Sequence, residues 1–457
     1  REQLAAEKEK RREIESKARI LMSRIDKETK KVQALGNELA KEKAENSKFK
    51  KDYKKYTSKT TIETGKNNKP KARSKAGSFA GAIGTAGHRI IAAQILTLPC
   101  KTTKCLDQTF ELLAKAGINT LIFRVFNNKG DRYFRFLPPQ AAQGVYFKTD
   151  RAPVVSDALS IVVSSARRHG LAVWAWMTTR YATYGLNMGK DWQAGEYDFA
   201  SGTIIPAKGL NLFNPMVQEH LAGLFRDLAA YDLDGILLQD DLVLRHNEGW
   251  SPFAREAFKK EMGLELDPRD LYHGVFLSEN GKYYVSRYSE KFWDWSAWKN
   301  RKLLELAKKL MLAAKGRRPG LKFGINLMYE AVTSPRNALA WLSQSLPEAK
   351  KDGFDLFSVM AYHRQIKREL NLKGKELDHF MAKLVKNAVK TFREPSRVMI
   401  KLQVRDWRNG TRIPVSELDE MLSQVLKTSG ISIGFVPVSG PEDLKALKKA
   451  ANRLAGM

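Results

Sequence analysis

From about residue 88 onward, short apolar runs alternate with longer stretches whose apolar positions recur every three or four residues. The runs are Ile90–Leu96, Asn119–Phe126, Leu171–Met177, Asp234–Leu238, Lys322–Met328, Leu356–Tyr362, Val398–Val404 and Ile431–Val436. Between them, helical periodicity predicts helices over Lys104–Ala116, Val155–His169, Met216–Ala230, Phe292–Ala314, Arg336–Leu346, Leu377–Thr391 and Val415–Thr428. Runs that stay apolar without alternating are buried on both faces, as strands of a parallel sheet are. Eight such units predict an α/β fold, a (β/α)8 TIM-type barrel, over residues 88–457. A doubly wound open sheet is the alternative. It normally carries a Gly-rich turn after its first strand, and none follows Leu96.

The chain ahead of the barrel reads differently. Residues 1–56 are dense in Glu, Lys, Arg and Ala, which favour helix. Ile14, Ala18, Leu21, Ile25, Val32, Leu35 and Leu39 keep the four-three spacing of a coiled-coil seam, interrupted at Glu28 and weakened at Gly36. A coiled-coil arm that self-associates or docks a partner is expected, with a single charged spacer helix as the alternative. Residues 57–87 turn to Ser, Thr, Lys, Gly and Ala without periodicity and read as a flexible linker.

The formal charge of +29 raises the question of nucleic acid. Much of it lies in the first 75 residues, on no nucleic-acid motif, and elsewhere the basic residues follow solvated helix faces such as Lys299 to Lys315. No nucleic-acid partner is expected. No run of about 20 apolar residues spans a bilayer, and the chain opens on Arg1, so a targeting segment is expected ahead of it. Cys100 and Cys105 either close a small loop in an oxidising compartment or stand as two free thiols beside a turn. The seven His are scattered without ligand spacing, so neither a metal nor another cofactor is expected.

Catalytic groups of such barrels sit at the C-terminal ends of the strands. The fourth run, Asp234-Gly-Ile-Leu-Leu-Gln-Asp-Asp241, ends in two carboxylates. Glycosidic cleavage needs a proton donor to the leaving oxygen and a second group at the anomeric carbon, and two crowded carboxyls cannot both ionise easily. Asp240 shares side-chain parity with Asp234, Ile236 and Leu238 if the strand stays regular. Asp240 is therefore expected to be the general acid and Asp241 its support, with Asp234 ordering hydrogen bonds beneath; the order reverses if the strand ends early. Aromatic and polar side chains gather at neighbouring strand ends, where flat rings suit the C–H faces of sugars. They are Trp176 in the third run with Arg180 and Tyr181 after it, Tyr362 and His363 at the end of the sixth, and Asp406 and Trp407 after the seventh. Trp293, Trp295 and Trp298 are spaced along a helix and read as packing.

The strings Phe123-Arg-Val-Phe-Asn-Asn, Trp174-Ala-Trp-Met, Asn211-Leu-Phe-Asn-Pro215, Asp234 to Asp241 and Lys401-Leu-Gln-Val-Arg-Asp-Trp407 occur in an order that resembles the C-terminal glycoside hydrolase domain of PgaB-type poly-β-1,6-N-acetylglucosamine deacetylases, over residues 88–440. The resemblance implies a barrel that cleaves internal bonds of partially deacetylated poly-β-1,6-glucosamine in exopolysaccharide export, in the bacterial cell envelope. It carries the essential acid onto Asp240 or Asp241 and sugar binding onto Trp407 and Tyr362. The family's metal-dependent deacetylase domain is replaced here by the arm and linker. A polycationic substrate also sits awkwardly with a basic protein, so local acidity from Asp232, Asp234, Asp240, Asp241 and Glu248 is expected to offset the net charge. The competing functions are a weakly catalytic or non-catalytic polysaccharide-binding barrel, a hydrolase of another bacterial glycan, and a basic protein that attaches to an anionic polymer.

Overall fold

The computed structural model describes residues 89–279, 281–440 and 443. The predicted arm and linker lie outside the described residues. Eight parallel strands close into a barrel: β1 Ile91–Ile95, β2 Thr120–Arg124, β3 Ala172–Met177, β4 Gly235–Leu238, β5 Lys322–Met328, β6 Leu356–Met360, β7 Val398–Gln403 and β8 Ser432–Val436. Each pairs with its sequence neighbours, and β1 closes on β8 with Ile91 opposite Ile433. This excludes the open sheet. All eight strands fall inside the apolar runs, because strands buried on both faces are predominantly apolar, with a few buried polar residues such as Asn326, Lys401 and Gln403.

The barrel interior is packed with side chains. The Trp174 ring on β3 sits where a Cβ at Gly235 would lie 2.4 Å from its Cδ2 atom, and it also reaches Gly324 on β5. Only an inward-pointing ring can touch both strands, so glycine at 235 makes room for it. The lumen parity on β4 therefore belongs to Gly235 and Leu237.

Helices follow the predicted periodicity, with capping where the sequence offers it. Asn214 accepts from the Met216 amide ahead of Pro215–Leu228, and Ser289 caps Glu290–Arg317. The helix expected over Arg336–Leu346 stops at Leu342, where Ser343 adopts a left-handed conformation, and a separate helix, Leu346–Lys351, follows. The sequence reading missed the excursions on the C-terminal side. These are the hairpin Gln193–Asp198 with Thr203–Leu210, the helix Pro252–Met262, and the hairpin Tyr272–Leu277 with Tyr283–Tyr288. The last two rest on a second core built from Trp250, Phe258, Tyr272, Phe292, Trp295 and Trp298. Trp295 and Trp298 are thus packing residues, while Trp293 lies beneath the Arg336 guanidinium.

Cys100 and Cys105 form a disulfide ahead of and within the first turns of Thr103–Lys115. Among the described residues no helix is long and apolar enough to cross a membrane.

Candidate active site

β4 ends at Leu238, two residues before Asp240, so the pleat does not set the direction of the two carboxylates. The turn after Gln239, whose amide still donates to Met177 on β3, sends them opposite ways. Asp241 turns back to the end of β3. It accepts from Thr178 Oγ1 at 2.6 Å, Thr179 Oγ1 at 2.8 Å, the Thr179 amide at 2.9 Å and the Tyr181 amide at 3.0 Å. Burial pushes the Asp241 carboxyl up, against the pull of these donors. With both oxygens taken, it ties the β3 loop to the β4 loop.

Asp240 faces the mouth. It is half-buried, and its charge acts on two groups from the far side of the barrel, Tyr362 after β6 and Lys401 in β7. Burial pushes the Tyr362 hydroxyl well up, and the Asp240 charge adds to this. Burial brings Lys401 down to about 8, with Asp240 pulling the other way. Asp240 is thus a half-buried carboxyl in electrostatic reach of a phenol and an ammonium carried by other strands.

Beside it stands the aromatic pair. Tyr362 and Trp407 contact each other edge to face, and Trp407 is 40% exposed. The loop that carries Trp407 is held by Asp406, which accepts from the Arg408 amide at 3.0 Å and pairs with Arg364 and Arg368 at 3.3 and 3.5 Å. Asp406 is thereby occupied in fixing Trp407. Tyr181 is 41% exposed after β3, with the Arg180 guanidinium over its ring at 5.6 Å, and Trp176 is buried against Phe126.

Several expected site residues lie elsewhere or are already occupied. Asp234 precedes β4 at the opposite, N-terminal end of the barrel, where it accepts from Arg167 at 2.7 Å and the Val173 amide at 2.7 Å. Asp232 is exposed beside it and pairs with Arg167 and Arg318 at 3.0 and 2.9 Å. A β-strand runs the height of the barrel, so residues that open it cannot reach the mouth. Arg180 and Glu248 form a buried two-pronged pair at 2.7 and 2.8 Å. Arg180 also donates to the carbonyls of Lys208 and Val243, which staples the first hairpin to the β4 loop. Neither is available to substrate. His363 is buried, with Nε2 against Glu417 at 3.1 Å, and is a structural residue. The acidity expected to offset the net charge therefore does not gather at the mouth: of those five residues, Asp240 alone faces it.

One carboxyl was missed. Glu330 follows β5 directly; burial pushes it up, and its Oε2 atom is buried without a hydrogen-bond partner. Its place two residues after the fifth apolar run was the available signal.

A closed parallel barrel with a carboxyl, a phenol and an exposed indole at its C-terminal mouth has the architecture that glycoside hydrolases use. The chain belongs to hypothetical glycosyl hydrolase family 13, whose model matches residues 99–436. Among solved structures, it is similar to the PgaB (BpsB) glycoside hydrolase domain from Bordetella bronchiseptica. That match has 23% identity and a TM-score of 0.61, and covers 80% of this chain and 98% of that one. The α-L-fucosidase isoenzyme 2 from Paenibacillus thiaminolyticus shares the barrel at 13% identity and a TM-score of 0.51, over 80% of this chain and 49% of that one. No curated protein sequence matches.

Proposed function

We propose that this glycosidase cleaves internal bonds of partially deacetylated poly-β-1,6-N-acetylglucosamine, with Asp240 as general acid. The observation that carries this reading is the division of labour at the end of β4: Asp241 is fully engaged by β3, while Asp240 faces the mouth beside Tyr362. Trp407 and Tyr362 offer ring faces to the sugar. In the reaction, the Asp240 carboxyl gives its proton to the glycosidic oxygen as the bond from that oxygen to the anomeric carbon breaks. The substrate's own 2-acetamido oxygen bonds to the anomeric carbon from the other face, since Asp241 is not free to do so. Water then opens the resulting ring and returns a proton to the Asp240 carboxylate.

The choice of glycan rests on the sequence strings that resemble PgaB-type deacetylases, and the likeness to the PgaB (BpsB) domain supports the fold that goes with it. The Cys100–Cys105 disulfide supports an oxidising compartment such as the cell envelope. The arm of residues 1–56 and the linker of residues 57–87 serve, in this reading, self-association or docking to an export partner.

A net charge of +29 repels a polycation at long range, and salt screens that repulsion. Initial rates on matched polymers of low and high acetylation, measured over a salt series, test the substrate. Moderate salt should leave turnover of the partially deacetylated polymer unchanged or raise it. Preference for an anionic polymer, with rates collapsing as salt rises, would replace polyglucosamine with an acidic glycan. Tight binding of polyglucosamine without turnover would favour the non-catalytic barrel.

A further inference from the structure

Lys401 is a charged residue in the middle of the barrel, 1% exposed, and the family match explains nothing about it. Its stem lies on β8, where a Cβ at Gly434 would sit 3.2 Å from Lys401 Cγ. Its ammonium crosses from β7 past β6 to β5 and donates to Asn326 Oδ1 at 3.2 Å. Asn326 in turn donates from Nδ2 to the Leu238 carbonyl at 2.9 Å. Leu238 is the last residue of β4, two before Asp240. The path from ammonium to amide to strand-end carbonyl therefore terminates on the peptide that launches the acid's turn. A buried lysine without a structural need is costly, because burial penalises its charged form. Burial does bring Lys401 down to about 8, so it remains largely charged at neutral pH.

We propose that Lys401 is a positioning residue for Asp240, holding the end of β4 through Asn326 and stabilising the carboxylate that forms when Asp240 gives up its proton. The inference rests on the reading of Asp240 as the acid. Asp240 is the charged group that acts on Lys401, while Met399, Asn326 and Gly434 around it are neutral, and Tyr362 faces the same carboxylate. The two parts of the role are separable. The hydrogen-bond path fixes where Asp240 stands, and the charge fixes how readily it ionises.

Lys401→Met keeps the length of the stem and removes the charge, while Asn326→Leu keeps the charge and breaks the path. Both are compared with the unaltered chain for kcat, KM and the pH profile of kcat/KM on the partially deacetylated polymer. A misplaced acid costs about 100-fold in kcat, and both variants should approach that loss with KM little changed. Only Lys401→Met should move the limb of the profile that belongs to the acid, by roughly one pH unit upward, because a carboxylate that loses a neighbouring cation is harder to ionise. Unchanged kcat and profile in Lys401→Met would overturn the proposal. So would the same upward shift in Asn326→Leu, since the charge would then not be its source. If Lys401→Met does not fold, Asn326→Leu alone decides: wild-type kcat there overturns the positioning role. An Asp240→Asn variant that retains full activity would instead remove the acid assignment itself, whatever the Lys401 variant does.

Discussion

The rings of Tyr362 and Trp407 meet at 5.3 Å between centroids and 62° between planes, across the ends of β6 and β7. The Asp240 charge acts on Tyr362 across the barrel, so the proposed sugar platform and the proposed acid face one another at the mouth. Trp407→Ala should therefore raise KM or the dissociation constant of an oligosaccharide roughly tenfold, about 1.4 kcal/mol, with a smaller change in kcat. Isothermal titration of a short glucosamine oligomer checks it. Unaltered affinity would move the platform away from β7.

Asp241 should behave as a structural residue. An amide at 241 keeps one acceptor oxygen but presents an NH2 group to the Thr178, Thr179 and Tyr181 donors. Each buried donor left unmatched costs about 1–3 kcal/mol, so Asp241→Asn should lower the unfolding midpoint measurably. Asp240→Asn should leave it nearly unchanged. Chemical denaturation of the two variants side by side makes the comparison.

The Arg180–Glu248 pair sits under the hairpin and the β4 loop with both partners largely out of water. Glu248→Ala strands a buried guanidinium, and breaking such a pair costs about 3–5 kcal/mol. Loss of stability with the substrate constants preserved in the surviving folded fraction is the expected outcome. A selective rise in KM with full stability would return Glu248 to the binding residues.

Glu417 is held down to about 2 by the Arg364 guanidinium, with His363 adding to this, against an ordinary value of 4.5. A carboxyl lowered on folding contributes stability that is complete above its unfolded value and is lost as pH falls through its folded one. The barrel should lose stability between about pH 4.5 and pH 2, and Glu417→Gln should flatten that slope. Asp107, lowered to about 2 by Ser165 and Arg168, leaves part of the slope in place. Melting temperatures over this pH range decide the point.

The barrel was legible because fully buried strands leave unbroken apolar runs, and all eight runs contain the strands observed. The mouth was half legible. Tyr362, Trp407 and the Asp240–Asp241 pair do stand at the C-terminal ends of their strands, as their places after the apolar runs predict. The parity rule that ranked the two carboxylates did not apply, since β4 stops at Leu238 and a turn takes over. Asp232 and Asp234 were counted towards the acidity of the groove although they stand at the start of the fourth run, and in a parallel barrel that puts them at the end away from the mouth. Arg180 and Glu248 were taken for free charges. Their pairing joins residues 68 apart, and no local pattern marks it. Glu330 stood two residues after the fifth run and was overlooked, whereas the relay from Lys401 through Asn326 to Leu238 needed the closed barrel, because its members come from different strands.

The most direct test of the central claim is digestion of defined, partially deacetylated poly-β-1,6-N-acetylglucosamine by the intact chain and by Asp240→Asn, with the products read by mass spectrometry. The unaltered chain should release short internal fragments. The variant should still bind the polymer but turn it over about two to four orders of magnitude more slowly. Undiminished cleavage by Asp240→Asn, or no cleavage of this polymer alongside cleavage of another glycan, would contradict it.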